Sequence, residues 1–179
     1  MGKGFAASKI SSQLNGVVRT LLEFKLPMHE MLERANRIFC ERVEVIGYYA
    51  TLVCVQVSSA GTIELVNAGH VPPLLLRSGG AERLMSSGLP LGLFYTSTYE
   101  VTHVQLTPGE TLLLYTDGVT EARNGFDTEY GIERLARFAA DKSYLAPKDL
   151  VRACRDDVSA FTSGTPPSDD LTLLALRHV

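Results

Sequence analysis

At 179 residues the chain is long enough to bury a sizeable core as one domain. Apolar residues make up 45% and charged residues 21%, close to the globular average, which excludes a disordered or fibrous chain. A formal charge of −3, with no Lys/Arg run longer than two, argues against nucleic acid or an acidic membrane as partner. No apolar run approaches the ~18 residues of a membrane span, and the N-terminus lacks a signal-peptide pattern, so the expected setting is cytoplasmic.

Taken in order, Met1-Gly2-Lys3-Gly4 reads as a loop entering a helix. Its Gly-Lys is not a phosphate loop, because Gly4 stands where Ser or Thr should follow and no strand precedes it. Apolar residues at Ile10, Leu14, Val17, Val18, Leu21 and Leu22 predict a helix to about Phe24. Pro27 suits the first turn of a second helix, with Met28, Met31, Leu32, Ala35, Ile38 and Phe39 on one face. Methionines spaced in this way serve as core filler more often than as a binding surface.

From Tyr48 the period changes to two. Residues 48–57 are rich in β-branched and aromatic side chains, and Ser58-Ser59-Ala60-Gly61 turns them into a second strand over 62–67. After Ala68-Gly69-His70-Val71-Pro72-Pro73, residues 74–77 and 81–85 predict a further hairpin around Ser78-Gly79-Gly80. The loop Gly88-Leu89-Pro90-Leu91-Gly92-Leu93 is too apolar to be a free linker and is expected to pack over a sheet. Residues 99–106 alternate, with Tyr99, Val101, His103 and Gln105 expected outward, and Thr107-Pro108-Gly109-Glu110 turns into an apolar strand over 111–115. Helical periods then recur around Leu135 and Ala139, and again, after Pro147, from Leu150 to Phe161. The loop 163–168 precedes a last strand over 171–176. Cys40, Cys54 and Cys154, odd in number and far apart, suit reduced core thiols better than a disulfide frame or zinc site. None has an oxyanion-binding Arg six residues on, where Ile46, Ala60 and Ala160 stand. Helices, antiparallel-looking strands, then helices and a final strand fit α+β layers.

The strand over 111–115 runs into Asp117-Gly118, which taken alone reads as a turn. A second acidic pair, Asp169-Asp170, opens the last strand 52 residues later. If the two strands are antiparallel neighbours, both corners share one sheet edge. Carboxylates that close repel unless a cation lies between them, and all-oxygen donors favour Mg²⁺ or Mn²⁺ over zinc. Asp before a strand is also ordinary turn chemistry, so spacing leaves both readings open.

An ordered series of segments adds to this: Gly2-Lys3-Gly4-Phe5-Ala6-Ala7-Ser8, Asn67-Ala68-Gly69-His70 with Pro72-Pro73, Gly88-Leu89-Pro90-Leu91-Gly92, Tyr115-Thr116-Asp117-Gly118-Val119-Thr120-Glu121-Ala122 and Asp169-Asp170-Leu171-Thr172. It resembles the SpoIIE/RsbU-like branch of the metal-dependent (PPM, type 2C) Ser/Thr protein phosphatases, over nearly the whole chain. The resemblance implies a single domain over 1–179, a four-layer α-β-β-α sandwich of two antiparallel sheets flanked by helices. It implies that Asp117 and Asp169 are metal ligands and catalytic, that Asp170 lies close behind them at the metal site, and that two Mn²⁺ or Mg²⁺ ions promote in-line attack on phosphorus. His70 could act as an acid near that site, but beside a proline-rich turn a hydrogen-bonded structural role fits better. Gly69 and Gly118 are expected to adopt backbone conformations that other residues resist.

The implied partners are a phosphorylated regulatory protein of the anti-sigma-factor-antagonist type and an upstream sensory or receiver domain. The family pattern also places a strand ending in Gly-Asp-hydrophobic before the Gly-Lys-Gly loop, its Asp bridging both metals, and this sequence has none. Lacking those N-terminal strands, the 179 residues are expected to bind metal weakly and to have little activity by themselves. A second copy, forming a homodimer, could cover the edge left open. The alternative is a non-catalytic phosphatase-like module that binds a protein partner; an unrelated metal-dependent nuclease is disfavoured by the lack of basic clusters.

Overall fold

A computed structural model describes residues 5–42, 48–167 and 169–179. The Gly-Lys opening at residues 1–4 lies outside them. The chain forms two compact units: Met1–Val57, Ile63–His70 and Ser86–Val104 make one, and Ser58–Thr62, Val71–Met85 and Gln105–Val179 make the other.

In the first unit the expected helices are α1 (Phe5–Leu22) and α2 (Met28–Arg42). Pro27 cannot extend a helix backwards through its own nitrogen, and its carbonyl accepts the first α2 bond from Met31 N–H at 3.0 Å. Met28, Met31, Leu32, Ala35 and Phe39 fall on one stripe of α2 and are buried with Leu14 and Leu21 of α1. Val66 and Ala68 of the neighbouring sheet belong to the same cluster. That sheet has the order β1-β2-β5, built from β1 (Leu52–Val57), β2 (Thr62–Ala68) and β5 (Thr102–Gln105). β1 and β2 form the expected antiparallel hairpin, with Leu52 opposite Ala68 and Val57 opposite Ile63.

The apolar loop after Gly88 packs as anticipated. Leu91 is fully buried, and Ala50 and Leu91 exchange backbone hydrogen bonds at 2.8 and 2.9 Å. Buried Asn36 of α2 anchors the loop, donating to the Phe94 carbonyl (2.8 Å) and accepting from Gly92 N–H (2.8 Å). The alternation assigned to 99–106 holds only in its second half. His103 and Gln105 face out and Val104 in, whereas Tyr99 is buried, because residues 99–101 precede the strand and Tyr99 fills space beside Gly88.

In the second unit the sheet order is β4-β3-β6-β7, antiparallel throughout, from β3 (Leu74–Arg77), β4 (Gly80–Arg83), β6 (Thr111–Tyr115) and β7 (Leu173–Arg177). Leu74, Leu76, Leu113 and Tyr115 project to one face, where they are buried with Leu135 and Ala139 of α4 (Ile132–Asp141) and Leu150, Cys154 and Val158 of α5 (Pro147–Thr162). Leu75 and Leu112 on the other face are buried too, which is why these strands read as unbroken leucine runs. The Pro108-Gly109 turn closes with Glu110 N–H on the Thr107 carbonyl at 3.0 Å, and Gly109 takes the positive φ of 90° that this turn demands. Two antiparallel sheets flanked by helices give the α+β class expected. No helix among the described residues is long and apolar enough to cross a membrane.

Candidate metal centre

β6 and β7 are antiparallel neighbours in a register that ends at Tyr115 opposite Leu173. The residues that follow β6 therefore lie beside those that precede β7. Tyr115, the last residue of β6, is buried and donates its hydroxyl to the Pro72 carbonyl at 2.8 Å. Burial pushes this phenol up to about 12, so it stays a donor.

Beyond that pair, Thr116 joins the two segments three times. Its N–H donates to the Thr172 carbonyl (3.2 Å), its Oγ1 accepts from Thr172 N–H (3.1 Å), and the same hydroxyl donates to the Asp170 carbonyl (3.2 Å). A hydroxyl offers one donor and two lone pairs, so Thr116 can hold both strands at once. Gly118 completes the junction. A Cβ there would lie 2.3 Å from the Asp170 carbonyl oxygen, so only glycine lets the two backbones meet. This corrects the expectation for Gly118: its requirement is close approach, while Gly69, with a φ of 69°, is the one that needs an unusual backbone conformation.

Asp117 opens the single helical turn α3 (Asp117–Thr120), held by Glu121 N–H on the Asp117 carbonyl at 2.8 Å. Asp117, Asp169 and Asp170 are all exposed. One oxygen of Asp117 accepts from Gly118 N–H and one of Asp169 from Asp170 N–H, each at 2.9 Å. Each carboxylate is thus oriented by the backbone next to it.

The donor chemistry suits a hard divalent cation: oxygen only, on two facing corners. No group of three or more His, Cys, Asp or Glu side chains able to hold a metal comes together among the described residues. Mg²⁺-type ions tolerate this, since they keep several waters and commonly take one or two carboxylates together with substrate phosphate.

His70 is built into a turn. Its N–H donates to Asn67 Oδ1 (2.8 Å), its carbonyl accepts from Asn67 Nδ2 (3.1 Å), and its Nδ1 lies 3.1 Å from Thr51 Oγ1. These contacts support the structural role over the acidic one. Cys154 is fully buried, and burial pushes the Cys54 and Cys154 thiols up to about 11, which fits core residues rather than nucleophiles. Sequence reasoning passed over Thr116 and Thr172. Both stand inside the motif segments, but the local pattern reveals neither the distant carbonyl that the Thr116 hydroxyl meets nor its pairing with the Thr172 backbone.

The whole chain, residues 1–179, matches the family model described as Stage II sporulation protein E (SpoIIE). It is 32% identical over 119 residues to Protein IcfG of Synechocystis sp., covering 66% of this chain and 19% of that protein. With phosphoserine phosphatase RsbU of Bacillus subtilis it shares 23% identity over 182 residues, covering 99% of this chain and 53% of the relative. The chain thus spans about half or less of the length of these relatives.

Among solved structures, the RsbU and RsbW domains of Rv1364c from Mycobacterium tuberculosis superpose with a TM-score of 0.79 at 29% identity, over 99% of this chain and 49% of that one. The PP2C phosphatase domain of Bacillus subtilis SpoIIE, with a fragment of its regulatory domain, gives 0.80 at 20% identity, over 99% and 52%. RsbX in complex with magnesium gives 0.68 at 15%, over 98% and 75%. The last two likenesses speak to the fold alone.

Proposed function

The chain belongs to the SpoIIE family of PP2C-type phosphatase domains, and from that premise we propose that it hydrolyses phosphoserine or phosphothreonine on a regulatory protein in a metal-dependent reaction. The observation that carries this is the junction itself: Thr116 and Gly118 bring the Asp117 and Asp169 corners together across β6 and β7. Asp117 and Asp169 would hold Mn²⁺ or Mg²⁺, two ions in a complete site, with Asp170 close behind. A divalent cation there supplies Lewis acidity to the phosphoryl oxygens of the substrate. The chain's own part is to orient the carboxylates through the neighbouring N–H groups, and to keep them exposed where a phosphorylated protein can reach them.

The substrate we propose is an anti-sigma-factor antagonist, with activity governed by an upstream sensory or receiver domain. RsbU carries the name phosphoserine phosphatase, Rv1364c holds RsbU and RsbW domains, and SpoIIE places a regulatory segment beside its PP2C domain. Residues 1–179 are read as one domain because the family match spans both compact units. Free cysteines and an acidic balance support a cytoplasmic setting without nucleic acid or membrane as partner, and a homodimer stays part of the proposal.

A second reading, a phosphatase-like module that binds a protein without catalysis, draws on the same lack of a three-ligand metal group among the described residues. The enzyme reading for its part carries weak metal binding and low, Asp117-dependent activity for these residues alone. Mn²⁺ titration with a phosphoserine peptide separates the two. Catalysis predicts that Asp117→Asn lowers kcat/KM by about 100-fold or more. Turnover indifferent to Asp117→Asn, or none at saturating Mn²⁺ while the peptide still binds, rejects the enzyme reading.

A further inference from the structure

Next to the Asp117/Asp169 junction the second unit carries a cleft of about 380 Å³, within the range of ligand sites. Asp169 and Gly118 form part of its wall, so it is continuous with the candidate metal centre. Its interior is mostly apolar, with Ala122 and Val158 buried beneath and Pro166 and Leu171 at the side. Ser159, exposed on α5, faces it, and Arg123 and Arg155 also line it.

The two arginines are not equivalent. Arg123 is committed to Asp127 and Glu129. Among the described residues Arg155 pairs only with its exposed neighbour Asp156 at 2.8 Å, an arrangement of little energetic weight. Its guanidinium can therefore turn to an incoming carbonyl, carboxylate or phosphoryl oxygen at small cost.

Granting the phosphatase reading of the junction, we propose that this cleft is the specificity site for the polypeptide that carries the phosphoryl group. It seats an apolar side chain flanking the phosphoserine on Val158, Ala122 and Pro166, and Arg155 reads the acidic or carbonyl oxygens beside it. Continuity fixes the occupant: a phosphoserine held at Asp117 and Asp169 leaves its own chain at the mouth of the cleft. An isolated small phosphate would leave this apolar space unfilled.

The test measures binding of fluorescein-labelled peptides carrying the non-hydrolysable phosphonate analogue of phosphoserine, flanked by leucine or by alanine, to the full chain in Mn²⁺ by anisotropy. The expected result is about tenfold tighter binding of the leucine-flanked peptide, the usual worth of a few methylenes in an apolar pocket. Ser159→Trp, which fills the cleft from an exposed position, should reduce that preference to less than about twofold. Arg155→Ala, also exposed, should weaken both peptides several-fold and flatten the salt dependence of binding.

Equal affinity of the wild-type chain for the two peptides overturns the proposal, as does a preference that survives Ser159→Trp or a salt dependence unchanged in Arg155→Ala. Hydrolysis of p-nitrophenyl phosphate distinguishes the two levels of inference. Its absence in Mn²⁺ with the leucine preference intact removes the phosphatase reading and leaves the cleft as a peptide-binding site.

Discussion

The junction between Asp117 and Asp169 depends on one small side chain, the Thr116 hydroxyl, and on the absence of another at Gly118. Because a Cβ at Gly118 would meet the Asp170 carbonyl at 2.3 Å, Gly118→Ala must push one corner away from the other. We expect it to cost about 1–3 kcal/mol of stability, as overpacking generally does. It should also weaken Mn²⁺ binding about tenfold or more by calorimetric titration; unchanged Mn²⁺ affinity would show that the close approach does not position the carboxylates. Asp117 was legible in the sequence because an Asp-Gly pair closing an apolar run is a local signal. The reason for Gly118 was not, since its neighbour lies 52 residues further along the chain. The role of Thr116 is hidden for the same reason, since its hydroxyl bonds the backbone of Asp170 and Thr172.

At the scale of elements, periodicity gives the helices almost to their ends and the strands over 74–77 and 111–115 as they stand, while the expected strands over 48–57, 99–106 and 171–176 start too early. β1 begins at Leu52 rather than Tyr48, because of residues 48–51 only Ala50 bridges, and it bridges the Leu91 loop. β7 begins at Leu173 rather than Leu171, since Thr172 N–H bonds the Thr116 side chain and the regular ladder stops there. A strand's end is set by its partner, which a single sequence does not show.

Between α4 and α5 the tie is polar and equally invisible to pattern. Asp157 accepts from the Tyr130 hydroxyl at 2.6 Å and from Arg134 Nε and Nη2, each at 3.0 Å, while the guanidinium lies over the Tyr130 and Phe161 rings. Asp157→Asn should cost about 2 kcal/mol, read from the urea midpoint. The Arg134 hydrogen bonds hold the Asp157 carboxyl below the usual carboxylate range. Its folded pKa is therefore depressed, and the stability it contributes is present above the ordinary Asp value and fades as pH falls through the folded one. The acid limb of a stability–pH curve should be shallower in Asp157→Asn than in the wild type; coincident limbs would show that this carboxylate carries no acid sensitivity.

For the molecule as a whole, a cation held as proposed at the Asp117/Asp169 corners would bind the folded chain, whose corners meet, and not the unfolded chain, in which they are 52 residues apart. Mn²⁺ at about 100 times its Kd should add roughly 2.7 kcal/mol to the unfolding free energy, with a matching rise in Tm. Asp117→Asn should abolish that rise. A thermal shift that persists in Asp117→Asn would place the cation elsewhere in the chain.

The sequence by itself determined the order of helices and strands, the faces of α2, α4 and α5 that turn inward, the Pro108-Gly109 turn, and the two acidic corners at strand ends. These follow from local period and turn chemistry, which act over a few residues. Only the tertiary structure decided that β6 and β7 are neighbours in this register, that Thr116 and Gly118 lock their ends, and that a cleft lined by Arg155 and Ser159 opens beside Asp169. Those features arise where distant segments touch, and the carbonyls and apolar surfaces that meet there are placed by packing rather than by the residues on either side in the chain.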